Sequence, residues 1–389
     1  MRRALLNLVL FLGLFAHAGL AYSQPTASPG AAADTVVPRG GEIPVGCLLP
    51  LSGKYANVGE RALKAILTAA GQGPSPGGYR LIVKDIGSEG QNLGPALGEL
   101  LAVPGLSFII GPIPSSYAAY AAERASSAKV PMILFPASEG ESRGGPYVVE
   151  FFYPLEEQTR VLSSYAARDL GARTFGILYP ETGSGRELAA LFMKAATGSG
   201  GKIVYEKGYP PGETDLSGET EWIDSIKPDA IFIPDGASAS AGLILRLKQN
   251  PHLSDVLFLG PATWNSPVFL KLAGDQIDGF VYRAVYTDFF HFGDAGWVRF
   301  GKDFESMHGE KPGSFEYLIY SGVSLMLKAA GGDGGDGGDG QSFLKSLEKL
   351  ASPPDYKVNR DKTGSVRISP IPRILSVSKG EIIEIMKVK

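Results

Sequence analysis

The sequence has one cysteine and four histidines in 389 residues, and its 37 lysines and arginines nearly balance its 40 aspartates and glutamates. A single cysteine excludes a disulfide framework and the zinc sites built from paired cysteines. A formal charge of −3 gives no basic field for nucleic acid. Hydrophobic residues make up 44% of the chain, too many for a disordered protein of such low net charge. The length predicts a globular protein of two domains.

Motifs for catalysis or metal binding are equally scarce. No histidine stands at helical metal-binding spacing from a second ligand, and no complete phosphate-binding loop is present. Ser142 lies in a literal G-x-S-x-G, but the preceding strand ends at Phe135 and Gly145-Pro146 follows, so the geometry of a nucleophile elbow is missing. The GGD repeat of residues 331–340 favours a surface loop over a weak calcium site. We predict no enzyme, no metal and no cofactor.

One long apolar run stands at the N-terminus. Arg2 and Arg3 precede the stretch Leu5–Phe15, and small residues follow it. A basic start, a short apolar core and a small-residue end are typical of a secretory signal peptide, and the run is too short to span a bilayer. A buried N-terminal helix is the alternative, but caps and amphipathic spacing are missing. We predict a signal peptide over residues 1–21, a flexible leader over residues 22–41 and a soluble periplasmic protein.

Cys47 raises the question of lipidation, because Pro44–Cys47 superficially resembles a lipobox. The cysteine lies far beyond the apolar core of the signal and inside a strand-like run, Ile43–Pro50. Cysteine is commonly buried as a small hydrophobic residue. We therefore predict that Cys47 is buried and not lipidated.

Apolar strands alternate with helices from residue 42 onward. The first unit is the strand IPVGCLLPL, the turn Ser52-Gly53 and the helix GERALKAILTAAG, and similar units continue to DGFVYRAVY. The last segment, VRISPIPRILSVSKGEIIEIMKV, is typical of strands alone. The alternation predicts an α/β fold with mainly parallel sheets covered by helices on both faces.

Residues 108–138 and 230–263 resemble each other. Each is an apolar strand, a turn rich in Gly, Pro and Ser, a helix, a second strand and a Pro-Ala turn. The matching serines are Ser115 and Ser116 in the first segment and Ser238 and Ser240 in the second. Because ligands of such units lie beyond the carboxyl ends of the strands, the repeat predicts two similar lobes. The alternative is the general likeness of any two βαβ units.

Several segments resemble the type I periplasmic binding proteins. GEIPVGCLLPLSGKYANVGERALKA resembles the opening strand, turn and helix of that family. FIIGPIPSS and VPMILFPAS resemble its first ligand-contacting segments, and EFFYPLEEQTRVLSSYAARDLGARTFGILY resembles its first crossover. The resemblance runs from Glu42 to the C-terminus. It implies two Rossmann-like lobes, each a mainly parallel sheet flanked by helices, joined by three crossovers.

The resemblance also implies lobes that are discontinuous in sequence. We expect lobe 1 to contain residues 42–153 and 280–352, and lobe 2 to contain residues 154–279 and 353–389. The hinges are expected near Tyr153-Pro154, near Gly279–Tyr282 and near residues 352–365.

In amino-acid-binding members of the family, a serine after the third strand and small or hydroxyl residues after the fourth hold the ligand's carboxylate. The acidic partner of its ammonium is missing here, because Gly260-Pro261 is followed by Ala262. Asp235, at the end of another strand, either replaces this missing carboxylate or caps the helix that follows it. This departure argues against an ordinary branched-chain amino acid. The expected ligand-binding residues are Ser52, Tyr55, Ser115, Ser116, Ala137, Ser138, Asp235, Ser238, Thr263 and Trp264.

The resemblance implies one leading function and one alternative. The leading function is a monomeric exported protein that captures a small polar ligand, an amino acid or a related compound, and delivers it to the membrane permease of an ABC importer. The alternative is a penicillin-binding-protein activator that acts on a peptidoglycan synthase without a ligand. The sequence L-P-L-S-G, present at Leu49–Gly53, occurs in both branches. A hydrolase that uses Ser142 is a third hypothesis, which the failed elbow geometry disfavours.

Overall fold

The computed structural model describes residues 42–73, 78–113, 117–136, 142–213, 217–253, 255–277, 284–331, 340–351 and 355–387. The strands in this part of the chain are β1 (Ile43–Leu49), β2 (Tyr79–Asp85), β3 (Phe108–Ile110), β4 (Met132–Leu134), β5 (Val148–Phe151), β6 (Thr174–Pro180), β7 (Lys202–Tyr209), β8 (Ala230–Phe232), β9 (Leu257–Gly260), β10 (Ala284–Asp288), β11 (Tyr356–Arg360), β12 (Val366–Pro370), β13 (Arg373–Ser378) and β14 (Glu381–Lys387). The helices are α1 (Ala56–Gly71), α2 (Leu93–Leu101), α3 (Ala118–Ser127), α4 (Leu155–Arg168), α5 (Gly183–Gly198), α6 (Ser217–Ile226), α7 (Ala237–Leu247), α8 (Pro267–Ile277), α9 (Ala295–His308), α10 (Ser314–Gly331) and α11 (Gly340–Leu350).

The strands form two sheets of seven strands each. The first sheet has the order β11-β12-β5-β4-β3-β1-β2, and the second has the order β14-β13-β10-β9-β8-β6-β7. In the first sheet only β11 runs antiparallel to its neighbour. In the second sheet the pairs β10–β13 and β13–β14 are antiparallel. The predicted fold of two lobes with mainly parallel sheets is therefore confirmed.

Successive residues of a strand point to opposite sides of the sheet. Both sides of these strands are apolar, and helices cover both faces of each sheet. In β1, Cys47 and Leu49 belong to an apolar cluster with residues of α1, α9, α10 and α11, whereas Leu48 belongs to a cluster with residues of α2 and α3. In the second sheet, one face packs against α4 and α5 and the other against α6, α7 and α8. Cys47 is buried as predicted, and burial raises the pKa of its thiol to about 12.

Three crossovers connect the lobes, at residues 152–154, 289–294 and 371–372. Tyr153 and Pro154 lie in the first one, where a hinge is predicted. The second follows β10 and leads into α9, whose Phe300 and Phe304 pack in the core of lobe 1. The third joins β12 of lobe 1 directly to β13 of lobe 2.

The predicted lobe boundaries differ from the structure at two places. Residues 284–288, expected in lobe 1, form β10 and pair with β9 and β13 in the second sheet. Residues 356–370, expected in lobe 2, form β11 and β12, and β12 pairs with β5 in the first sheet. The physical reason is that each sheet is completed by its own C-terminal hairpin, and an apolar strand pattern does not tell which sheet a strand joins.

Several predictions fall on residues outside the described part of the chain. These are the signal peptide and leader of residues 1–41, the hinge at Gly279–Tyr282, the start of the third predicted hinge at residues 352–354 and the GGD repeat within residues 332–339. Among the helices that the structure describes, none is both long and apolar enough to cross a membrane.

Candidate functional site

The candidate site is the carboxyl edge of the two sheets, where polar residues follow the parallel strands. Ligands of open α/β sheets bind at this edge. Of the predicted residues, Ser115, Ser116, Ala137 and Ser138 lie outside the described residues. The predicted residues that the structure describes therefore lie at the β1 turn in lobe 1 and beyond β8 and β9 in lobe 2.

In lobe 1, the turn after β1 is held by a carboxylate at the end of β2. Asp85 Oδ1 accepts hydrogen bonds from the backbone N–H groups of Leu51 at 2.8 Å and of Gly87 at 2.9 Å. Partial burial raises the pKa of Asp85, but hydrogen bonds from Ser52, Gly87 and Leu51 outweigh it, so the pKa lies below its usual value. The hydroxyl of Ser52 thus supports the turn while the residue remains exposed.

Tyr55 and Lys54 extend this wall of lobe 1. The Lys54 ammonium lies 5.1 Å from the centroid of the half-buried Tyr55 ring. A cation over an aromatic face is attracted by the ring's quadrupole. Tyr55 thus has a positive charge beside it, and its contact with a ligand stays a prediction.

In lobe 2, three strand ends are tied together around Asp235. Its Oδ2 atom accepts a hydrogen bond of 2.8 Å from the hydroxyl of Tyr209 at the end of β7. Its backbone carbonyl accepts a hydrogen bond of 2.8 Å from Thr263 Oγ1 after β9. The structure therefore brings the predicted residues Asp235 and Thr263 together and adds Tyr209.

The Asp235 carboxylate keeps part of its surface open. Asp235 is half-buried, and its Oδ1 atom accepts a hydrogen bond of 2.6 Å from the neighbouring Gly236 N–H. Helix α7 has Gly236 as its N-cap and no side-chain cap, so the alternative that Asp235 caps this helix is wrong. Ser238 lies exposed in the first turn of the same helix. The edge of lobe 2 thus offers a carboxylate beside a hydroxyl and an uncapped helix N-terminus.

Tyr209 is a neutral donor to this carboxylate. The residue is only 2% exposed. Burial and the Asp235 carboxylate both raise the pKa of its hydroxyl. Because the phenol keeps its proton, its hydroxyl donates to one carboxylate oxygen of Asp235 and holds that oxygen in place.

Trp264 lies in the core of lobe 2, not on an open wall. Its side chain is 0% exposed and stacks on Phe269 with ring centroids 4.6 Å apart. A Cβ atom on Gly260 would stand 2.1 Å from Trp264 Cδ2, so the ring fills the space that this glycine leaves free. Because the Trp264 side chain is fully buried in this arrangement, it cannot make the predicted contact with a ligand.

A second turn of the same design follows β6, the first strand of lobe 2. Pro180 ends β6 and Glu181-Thr182-Gly183 follow it, much as Pro50-Leu51-Ser52-Gly53 follow β1. Thr182 caps α5, because its Oγ1 atom accepts a hydrogen bond of 3.0 Å from Gly185 N. The carboxylate of Glu181 is exposed on this edge. Sequence reasoning missed Glu181 and Tyr209, although the repeated Pro-x-Ser/Thr-Gly turn was a usable signal for the first of them.

Ser142 is buried away from any substrate. It is 0% exposed and donates a short hydrogen bond to Glu150, a carboxylate that also pairs with Arg367 at 2.8 Å. A nucleophilic serine needs an exposed hydroxyl beside a base, on a turn between a strand and a helix. The arrangement makes Ser142 part of a structural ion-pair network.

The described edge residues offer polar groups of several kinds. They supply hydroxyls, a carboxylate and backbone N–H groups, which suit a small polar molecule. Among the described residues, no group of three or more His, Cys, Asp or Glu side chains is placed to hold a metal ion.

Comparisons with known proteins place this chain in a family. A family model described as periplasmic binding protein matches residues 42–358. Among curated proteins, none matches the sequence. A structure from Rhodospirillum rubrum, described as a branched-chain amino acid ABC transporter, has 20% identity and a TM-score of 0.75, covering 88% of this chain and 100% of its own.

Two further structures carry bound ligands. The branched-chain amino acid transporter substrate binding protein of Streptococcus pneumoniae, in complex with isoleucine, has 20% identity and a TM-score of 0.59, with 88% of this chain and 99% of its own covered. A solute binding protein of an ABC transporter from Rhodopseudomonas palustris, in complex with 3,4-dihydroxybenzoic acid, has 23% identity and a TM-score of 0.61, with 90% and 97% covered. At such low sequence identity, the TM-scores establish the fold that the chains share and nothing further.

Two lobes with mainly parallel seven-stranded sheets define the type I periplasmic binding fold. The family model covers most of the chain, so the protein belongs to the periplasmic binding protein family. Members of this family are substrate-binding proteins.

Proposed function

We propose that the protein is an exported solute-binding protein that captures a small polar ligand between its lobes and delivers it to the permease of an ABC importer. The observation that carries this proposal is the Asp235 carboxylate, held at the edge of lobe 2 by Tyr209 and Thr263 with one side open. Membership of the periplasmic binding protein family supports it. Solute-binding proteins of ABC transporters among the structural neighbours support the same role.

The proposed ligand is an amino acid or a related polar compound. Its cationic or hydrogen-bond-donating group faces Asp235, because a carboxylate accepts strong charge-assisted hydrogen bonds. We expect its carboxylate to bind at Ser115, Ser116, Ala137 and Ser138, the residues that follow the third and fourth strands in the sequence. Ser52, Tyr55 and Ser238 complete the proposed site.

In the proposed mechanism the two lobes close around the ligand, and no chemical reaction takes place. Ligand contacts shared between the lobes favour the closed arrangement, and the permease recognises that arrangement. The protein acts without a cofactor, as a monomer, after export directed by residues 1–21. The structural neighbours named above do not support the alternative of a penicillin-binding-protein activator.

A thermal-shift screen tests this function. Amino acids, aromatic acids and short peptides are added to the purified protein, and a true ligand at 100 times its Kd stabilises the fold by about 2.7 kcal/mol. Asp235→Asn should then weaken the binding of that ligand by about 10- to 100-fold, because a hydrogen bond to a charged group is worth about 1.5–3 kcal/mol.

Asp224→Asn is the matched control. Asp224 is a carboxylate of the same lobe that pairs with His252 at 3.1 Å and does not belong to the site. It should leave ligand affinity unchanged. Failure of every compound to stabilise the protein would contradict the proposed function.

A further inference from the structure

Among the described residues, two ion pairs join one lobe to the other, and a third joins lobe 2 to the second crossover. Lys357 on β11 of lobe 1 places its Nζ atom 2.6 Å from Glu157 Oε1 in the first turn of α4, in lobe 2. Lys387 at the end of β14 pairs with Asp355 at 2.7 Å. Arg373 at the start of β13 pairs with Asp294, at 2.8 Å. Lys387, Asp355, Arg373 and Lys357 all belong to the C-terminal segment, which supplies the last hairpin of each sheet.

The Glu157–Lys357 pair is better shielded than the pair of Lys387 with Asp355. The side chains of Glu157 and Lys357 are 21% and 39% exposed, whereas Asp355 is 64% exposed. An ion pair in the open gains little, because water screens it and the side chains lose entropy. Of the two pairs that join lobe to lobe, we expect the pair at the first crossover to contribute more to the arrangement of the lobes.

Glu157 has a second partner that does not depend on the lobes. Arg160 donates two hydrogen bonds of 2.8 Å to its carboxylate, from Nε and from a terminal nitrogen. These bonds, against partial burial and together with Lys357, lower the pKa of Glu157 to about 2. The carboxylate is thus ionised at neutral pH and stays paired within lobe 2 when Lys357 is removed. Loss of the contact between lobes need not disturb the fold of either lobe.

We propose that the Glu157–Lys357 ion pair is a latch at the first crossover that favours the described arrangement of the lobes over others and so sets their opening equilibrium. The consequence for ligand affinity rests on the function proposed above, but the effect on lobe arrangement does not. Two states of similar free energy respond measurably to a single pair, because a small bias shifts their populations.

The test measures a distance between the lobes without ligand. Spin labels are attached at Arg124→Cys on α3 and Arg246→Cys on α7, two exposed positions, while native Cys47 is buried. Lys357→Gln should shift or broaden the distance distribution. Raising the ionic strength from about 0.1 M to about 1 M, which shortens the Debye length from about 10 Å to about 3 Å, should move the unsubstituted chain in the same direction.

Lys194→Gln is the matched control, and Lys357→Arg is the rescue. Lys194 pairs with Glu156, the neighbour of Glu157, at 2.7 Å, and both residues lie in lobe 2. The control makes the same change of charge on α5, opposite the helix turn of α4 that contains Glu156 and Glu157, and should leave the distribution unchanged. Lys357→Arg retains the pair and should behave like the unsubstituted chain. A Lys357→Gln distribution identical to that of the unsubstituted chain would overturn the latch.

Once a ligand is identified, Lys357→Gln should also change its apparent Kd by about two- to five-fold, the range expected for a partly exposed pair. Affinity should tighten if the distribution moves to shorter distances and weaken if it moves to longer ones. If no ligand is found, the proposed function fails while the distance measurement still decides the latch. A shifted distance distribution with unchanged affinity would contradict the link between the latch and binding.

Discussion

Asp288 makes the stability of the protein depend on pH in an unusual direction. It is the last residue of β10, 0% exposed, at the entry to the second crossover. Its carboxyl accepts hydrogen bonds from Asn265 Nδ2 at 2.9 Å and from Phe289 N at 2.7 Å. Burial raises the pKa of Asp288 to about 8, although these bonds and the charge of Arg373 act against the shift. In the folded chain the carboxyl therefore keeps its proton up to neutral pH.

The sign of the effect follows from proton binding. An unfolded aspartate has a pKa of about 3.9, so between about pH 4 and the folded pKa the folded chain holds one proton more than the unfolded chain. The free energy of unfolding then falls by about 1.4 kcal/mol for each pH unit of increase. Below about pH 4 this destabilisation is absent, and it is complete above the folded pKa.

Asp288→Asn removes this titration with little change in shape. Relative to the unsubstituted chain, the variant should gain about 3 kcal/mol of stability between about pH 5 and about pH 7.5, whatever constant cost the amide brings. Urea unfolding of both chains across this range measures the difference. Parallel pH profiles for the two chains would refute the reasoning.

Asp85→Asn is the control at the other lobe's strand end. The pKa of Asp85 is lowered, so this carboxylate is ionised in both folded and unfolded chains above about pH 5. Its substitution should change stability by an amount that stays constant over the same range.

Three further substitutions test the placement of single side chains. Trp264→Ala should lower the free energy of unfolding by about 3–5 kcal/mol in urea titration, because it leaves a cavity beside Phe269; a loss below about 1 kcal/mol would contradict its core position. Ser142→Ala should cost about 1–3 kcal/mol, because it removes a donor from the buried Glu150 carboxylate, and it should leave ligand affinity unchanged in calorimetry; a hydrolytic activity lost with this hydroxyl would show the structural role to be incomplete. Tyr209→Phe should weaken ligand binding by less than Asp235→Asn does, because Asp235 keeps its hydrogen bond from Gly236; an unchanged Kd would mean that Tyr209 does not position the carboxylate.

Local patterns predicted the elements of the fold better than their assembly. The run at β1 and the helix after it follow from apolar spacing, and the burial of Cys47 follows from its place in that run. The two-lobed architecture came from the resemblance of motifs. The sheet that β10 and β12 join was mispredicted, since pairing depends on contacts far apart in sequence.

The proximity of two candidate site residues could be predicted because it depends on the order of the strand ends. Asp235 and Thr263 follow neighbouring strands of a parallel sheet, so their proximity could be read from topology. The direction of the Trp264 side chain could not be predicted from the sequence, because a residue in a turn can point outward or into the core. The free space above Gly260 decides between these two directions. Tyr209 reaches Asp235 across the end of β6, a contact that no local pattern indicates.

A crystal structure with the compound that gives the largest thermal shift tests the proposed function most directly. The compound should lie between the lobes, with a cationic or donor group within hydrogen-bond distance of the Asp235 carboxylate and with contacts to the β1 turn at Ser52 or Tyr55. A compound bound away from both edges, or bound to one lobe without any contact to Asp235, would contradict it.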